Sequence, residues 1–137
     1  MPLFDGRTEA AQLARFESTL GPIPADMLAA SSKTSKFYSG GAQGGYKLKE
    51  ALLPRRSLET VLGVTTGGPR GSRKGTAGHD VLHYQEFLDF IEKLLRYRPE
   101  ERISCEDALR HPFLLPLYTA EQTTGDQAKH KPQETAT

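Results

Sequence analysis

The chain has 137 residues, and its 18 lysines and arginines against 17 aspartates and glutamates leave a net charge of only +1. So even a balance gives no electrostatic case for nucleic acid or a membrane surface as partner. The single cysteine excludes an internal disulfide, and the sequence has neither a signal peptide nor an apolar run long enough to span a bilayer, which predicts an intracellular soluble protein, cytoplasmic or nuclear.

The first predicted element is a helix from about Thr8 to Leu20, with Leu13, Phe16 and Leu20 at helical spacing and Gly21-Pro22 closing it. A short helical turn is expected over Ala25 to Ala30. The region from Ser31 to Gly78 is rich in glycine, serine and lysine, and there a hairpin is placed at about Gly40 to Gly45 and a short helix at Leu58 to Leu62. Two glycine-rich loops lie in it, and glycine lets backbone amides approach a phosphate. Neither has the order that phosphate binding needs. In Gly67 to Thr76 the lysine precedes the glycine instead of following it, and Gly40 to Gly45 does not read GxGxxG. Arg70, Arg73 and Lys74 make a basic cluster on the second loop, read either as solvation or as a partner surface.

Phe87, Phe90, Ile91, Leu94 and Leu95 then recur at helical spacing and predict an amphipathic helix from about Leu82 to Tyr97. Its end is set by Pro99, which disfavours helical geometry in the residue before it and has no amide hydrogen to donate. After a charged turn, Pro99 to Arg102, Ser104 is positioned to cap a last helix reaching His111, with Asp107 in the place of a capping-box acid and Ala108 and Leu109 facing inward. His111-Pro112-Phe113-Leu114 is the exit, and from about Thr119 the chain is polar, aperiodic and expected to be disordered. Roughly 80 to 90 residues remain able to pack, so the core is expected to be marginal.

Isolated chemical groups do not assemble into a site. His79 and His83 stand four apart, but no third ligand has zinc-like spacing and His79 precedes the helix. Cys105 reads as a small structural residue, with no histidine-acid cluster to activate it. Glu100, Glu101, Glu106 and Asp107 sit where helix dipoles and solvation account for them.

The ordered combination in FLDFIEKLLRYRPEERISCEDALRHPF, an apolar helix, a proline, an arginine in RxS, an Ala-Leu helix and HPF, resembles the last two helices of the protein-kinase C-lobe. Upstream, ETVLGVTTGGPRGSRKGTAGHDVLHYQEFLDFIEKLL resembles the insert and following helix of the DYRK family, the dual-specificity, tyrosine-regulated branch of the CMGC kinases. PLFDGRTEAAQLARFESTLGPIPADML is similar to that family's preceding helix, and KFYSGGAQGGYKLKE to its small hairpin. The resemblance implies a mainly α fold: a partial kinase domain over residues 1–118, with a family-type insert at about 31–78 and a disordered tail at 119–137.

By that resemblance the parent kinase would use ATP and magnesium to phosphorylate serine or threonine of proteins. This chain has no VAIK, HRD, DFG or APE motif, and in the family those precede the Pro-Leu-Phe segment. No catalytic, cofactor-binding or metal-binding residue is therefore expected in it, and it is expected to be inactive alone. Arg102, His111 and Phe113 are the residues that match the kinase motifs. In kinases the arginine of RxS is buried and paired with the glutamate of APE, so Arg102 must reach solvent, find a substitute such as Glu100 or Glu106, or leave the local fold loosened. Phe87, Phe90, Ile91 and Leu94 would pack partly on a long central helix of the intact lobe. Without it they form an exposed patch, which with Arg70, Arg73 and Lys74 is the expected partner surface. The partner would be a protein, either the N-terminal portion of the kinase or another kinase. A stand-alone pseudokinase remnant serving as an interaction module is the alternative reading.

Overall fold

The computed structural model describes residues 2–41 and 43–117, and these are mainly helical with one small hairpin. The tail expected to be disordered, 119–137, lies outside the described residues.

Helix α1 spans Glu9–Leu20. Thr8 caps it, its Oγ1 accepting the Ala11 amide at 3.1 Å, and the preceding segment folds back so that Phe4 meets Phe16 edge to face at 4.8 Å. Gly21 ends it as expected. α2 is Ala25–Ala30, and a further turn, α3, Thr34–Phe37, was not anticipated because Thr-Ser-Lys-Phe carries no periodicity of its own. Its Thr34 hydroxyl donates to the Leu28 carbonyl at 2.5 Å, so α3 is held by α2.

Strands β1, Tyr38–Gly41, and β2, Gly45–Leu48, pair antiparallel with Tyr38 opposite Leu48. They extend beyond the glycine stretch on both sides, because Tyr38 and Leu48 are the apolar residues that a sheet face can bury. Ala14, Leu28, Tyr38 and Leu48 form the core, with Leu13, Ile23, Phe37 and Tyr46 packed around it. The Tyr38 hydroxyl donates to Glu17 Oε1 at 2.8 Å, fastening the hairpin to α1.

α4 is Leu58–Leu62, within the expected bounds, capped by Ser57 and closed by Gly63. Gly63 is left-handed, φ 64°, and its amide reaches back to Glu59 and Thr60, an end that a side chain at this φ would strain. Leu58 and Val64 are buried beside it, and α4 packs against α5.

α5 spans Val81–Leu94, three residues short of the expected end at Tyr97. Pro99 does force Arg98 into an extended conformation, but the helix stops earlier, at Leu95. Leaving the helix there lets Tyr97 donate its hydroxyl to the Gly21 carbonyl at 2.8 Å and Arg98 pair with Asp26 at 2.6 Å. Tertiary contacts to α1 and α2 thus win over one more helical turn. Pro99–Glu101 form a 3₁₀ turn.

The last helix, α6, is Cys105–Leu109, shorter than the expected reach to His111. The amides of Arg110 and His111 bond three residues back, to Asp107 and Ala108, tightening the chain into the exit turn. Leu109 is 44 % exposed and does not face inward, whereas Ala108 is half-buried.

Candidate interaction surface

α5 carries more apolar residues than any other helix here, yet among the described residues none of its fourteen is fully buried. Asp80 starts it, accepting the His83 amide at 3.1 Å and facing His83 Nδ1 at 2.7 Å. These contacts hold the Asp80 carboxyl below the usual range, the His83 amide first among the causes. His79 is taken by the Tyr84 hydroxyl at 3.0 Å, so the two histidines turn to different partners. Among the described residues no group of three histidines, cysteines or acids is gathered to hold a metal ion.

The exit turn packs on one flank of α5. Phe113 lies 4.8 Å from Phe87 and 5.7 Å from Phe90, ring centre to ring centre, and His111 lies 5.2 Å from Phe90. His111 is only 5 % exposed. Its Nε2 meets Asp89 Oδ2 at 2.8 Å, and its Nδ1 accepts the Phe113 amide at 3.2 Å. Asp89 also pairs with Lys93 one turn on. Lys93 first and His111 second lower the Asp89 carboxyl from its usual range. The structure therefore brings Phe87, Phe90, His111 and Phe113 together.

The rest of the stripe stays open. Ile91 is half-buried, Leu94 is 39 % exposed, and at the start of the helix Leu82 is 62 % exposed. A shallow groove of about 190 Å³ runs between Gly78, His79, Tyr84, Phe87 and Phe113. Its walls join the aromatic flank to the foot of the basic loop, where Gly68 comes so near Tyr84 that a Cβ there would lie 2.7 Å from the phenol oxygen.

Arg102 takes the first of its three expected courses, with an addition. It is exposed, and neither Glu100 nor Glu106 pairs with it. Its Nε donates to the Arg96 carbonyl at 2.7 Å and a terminal nitrogen to the Tyr97 carbonyl at 3.1 Å. A cation over carbonyls just past a helix C-terminus is favoured by the helix dipole and satisfies acceptors that have no intrahelical donor. Arg70, Arg73 and Lys74 stand exposed on the Gly67–Gly78 loop. Cys105 is exposed in the first turn of α6 and fills no packing position.

Sequence reasoning passed over Tyr97, Tyr84 and Asp89. Burial pushes the Tyr97 phenol up to about 12. Of the three, only Asp89 had a visible signal, its four-residue spacing to Lys93.

No protein-family model matches the chain. Among the described residues no helix is long and apolar enough to cross a membrane.

Proposed function

We propose that this chain is the distal part of the C-lobe of a DYRK-like protein kinase, and that its work belongs to that enzyme, an intracellular transferase moving the γ-phosphoryl group of ATP to serine or threonine of proteins. The observation that carries this reading is α5: a long apolar helix that the His111-Pro112-Phe113 turn and α4 cover only in part, leaving Val81, Leu82 and Leu94 exposed. Such a half-covered helix is what a helical lobe would leave if one of its packing partners belonged to another segment. Arg102 supports the same reading. Exposed and without a carboxylate partner among the described residues, it is free to meet one supplied from outside.

The residues of this chain do not fit ATP or magnesium. Its glycine loops lack the phosphate-binding order, and among the described residues no acid cluster could hold the metal. The chain contributes packing surface, and the catalytic charges would come from elsewhere in the parent.

A second reading, an interaction module that binds a protein without catalysis, is favoured by the cations at Arg70, Arg73 and Lys74, which have no acidic partner among the described residues. The two readings separate in one assay. Endogenous protein captured with an antibody to this chain is incubated with ATP, magnesium and a generic serine/threonine substrate, beside the recombinant 137-residue chain. The kinase reading expects transfer by the captured protein and none by the recombinant chain. Transfer by neither overturns it.

A further inference from the structure

The loop between α4 and α5 holds a serine in an unusual electrostatic setting. Ser72 is exposed, and among the described residues its hydroxyl has no hydrogen-bond partner. Arg70 stands two residues before it, with Arg73 and Lys74 directly after, all exposed. No carboxylate is paired with any of the three among the described residues, although ion pairs form readily elsewhere, at Arg15–Asp5, Lys36–Glu9, Arg98–Asp26 and Arg110–Glu106.

The loop is cinched at its base and not at Ser72. Gly71 bonds back to the Gly68 carbonyl at 2.9 Å and Arg73 to the Gly67 carbonyl at 3.1 Å, while Thr76 closes the following turn through its amide and its hydroxyl, both on the Arg73 carbonyl. Gly67 has to be glycine: its φ is 78° and a Cβ would lie 2.3 Å from the Lys74 amide nitrogen. The backbone thus presents Ser72 at the outer edge, with its hydroxyl free and with positive charge on both sides.

We propose that Ser72 is a phosphorylation site for a basophilic serine/threonine kinase, an enzyme separate from the parent proposed above. An acidic substrate cleft gains from cations on both sides of the acceptor, which raise encounter and binding without contributing to the chemistry. In the transfer, a bond forms from Ser72 Oγ to the γ-phosphorus of ATP as the bond to the β,γ-bridging oxygen breaks. ADP leaves, and the hydroxyl proton passes to the modifying kinase's base. Thr76 is the poorer acceptor of the two because its hydroxyl is already donated to the Arg73 carbonyl.

The product places about −1.5 to −2 charges among three cations. Charge-assisted hydrogen bonds to Arg70, Arg73 and Lys74 then close the loop on itself and reduce its positive field. This lowers the loop's charge from three cations to about +1 to +1.5 and weakens its attraction for an acidic partner. That consequence rests on the partner-surface reading, whereas phosphate incorporation does not.

The test uses the full chain, the catalytic subunit of a basophilic kinase, and ATP with magnesium, with the site mapped by fragmentation mass spectrometry. One phosphate on Ser72 is expected, with none at that position in Ser72→Ala. A doubly substituted Arg70→Ala/Arg73→Ala chain should be modified at least about tenfold more slowly, given the loss of flanking charge. Trypsin cleavage after Arg70, Arg73 and Lys74 of the modified wild-type loop should slow as the phosphate engages them. Phosphate on Thr76 in place of Ser72, no incorporation, or an unchanged rate in the doubly substituted chain would each overturn the proposal. Phosphate on Ser72 that leaves binding of the chain to an acidic probe, polyglutamate, unchanged would instead count against the partner surface alone.

Discussion

His111 Nε2 sits 2.8 Å from Asp89 Oδ2 while its Nδ1 accepts the Phe113 amide at 3.2 Å. Since Nδ1 accepts, the hydrogen of the neutral ring lies on Nε2 and is donated to the carboxylate. One ring therefore ties the exit turn to α5 through Nε2 and braces the turn internally through Nδ1, with Phe113 against Phe87 and Phe90. His111→Ala should lower stability by roughly 2–3 kcal/mol, since it removes two hydrogen bonds and leaves space beside Phe90. Urea unfolding followed by circular dichroism checks this, and a loss under about 0.5 kcal/mol would show the turn to be held by Phe113 alone.

At the acid end, stability should track Asp89, which Lys93 first and His111 second hold below its ordinary value. A carboxyl with a depressed folded pKa gives stability that is full above the unfolded value, about 4, and is lost as pH falls through the folded one. Asp26, lowered chiefly by its bond to Arg98, acts in the same direction. The unfolding midpoint should thus be flat just above pH 5 and fall below about pH 4, with a shallower fall in Asp89→Asn.

The alkaline end belongs to two phenols, the buried Tyr38 and the half-buried Tyr97. Burial raises Tyr97 to about 12, and burial with the neighbouring Glu17 raises Tyr38 as well. Their stabilisation is full below the unfolded value near 10 and is lost as pH climbs through the folded values. Far-ultraviolet melts from pH 9 to 12 should show the loss beginning near pH 10, less steeply in Tyr97→Phe. At neutral pH that variant should cost about 1 kcal/mol for the bond to Gly21.

Ser104 Oγ accepts the Asp107 amide at 3.0 Å and donates to Asp107 Oδ2 at 2.7 Å. This is a shortened capping box, in which aspartate meets the hydroxyl instead of the cap's backbone amide. Ser104→Ala should cost about 1 kcal/mol, measurable as a lower thermal midpoint with the α5 signals unchanged.

Leu94 and Leu82 offer a contrast with Phe90. In the isolated chain, Leu82→Ala and Leu94→Ala should each change stability by less than about 1 kcal/mol, since both side chains are already open to water. Phe90→Ala, stripped from beneath His111 and Phe113, should cost about 2–4 kcal/mol. If the exposed leucines cost as much as Phe90, the open flank would already be covered.

The parts of the fold that could be read from the residues were those governed by local physics. α4 lies within its predicted bounds because Ser57 and Gly63 mark both ends, and α1 is fixed by Thr8 and Gly21 in the same way. What escaped was decided between distant segments. The early end of α5 depends on Gly21 and Asp26, more than seventy residues away in sequence from Tyr97 and Arg98. The exposure of Leu109 follows from the brevity of α6, set by the His111 turn. In the candidate surface, the aromatic stripe was legible from its spacing, whereas the Asp89 contact to His111 joins two elements and leaves no periodic trace. Arg102 illustrates the limit well: a search for carboxylate partners by sequence proximity could not find two backbone carbonyls exposed only because α5 stops short.

The central claim, that this chain works as a segment of a larger kinase, is tested most directly by the mass of the endogenous product. An immunoblot with an antibody raised against residues 119–137 should show a band only near the mass of a complete protein kinase, far above the 15.1 kDa of this chain. A stable endogenous band near 15.1 kDa with no larger species would contradict the claim and make the open flank of α5 the surface of an independent interaction module.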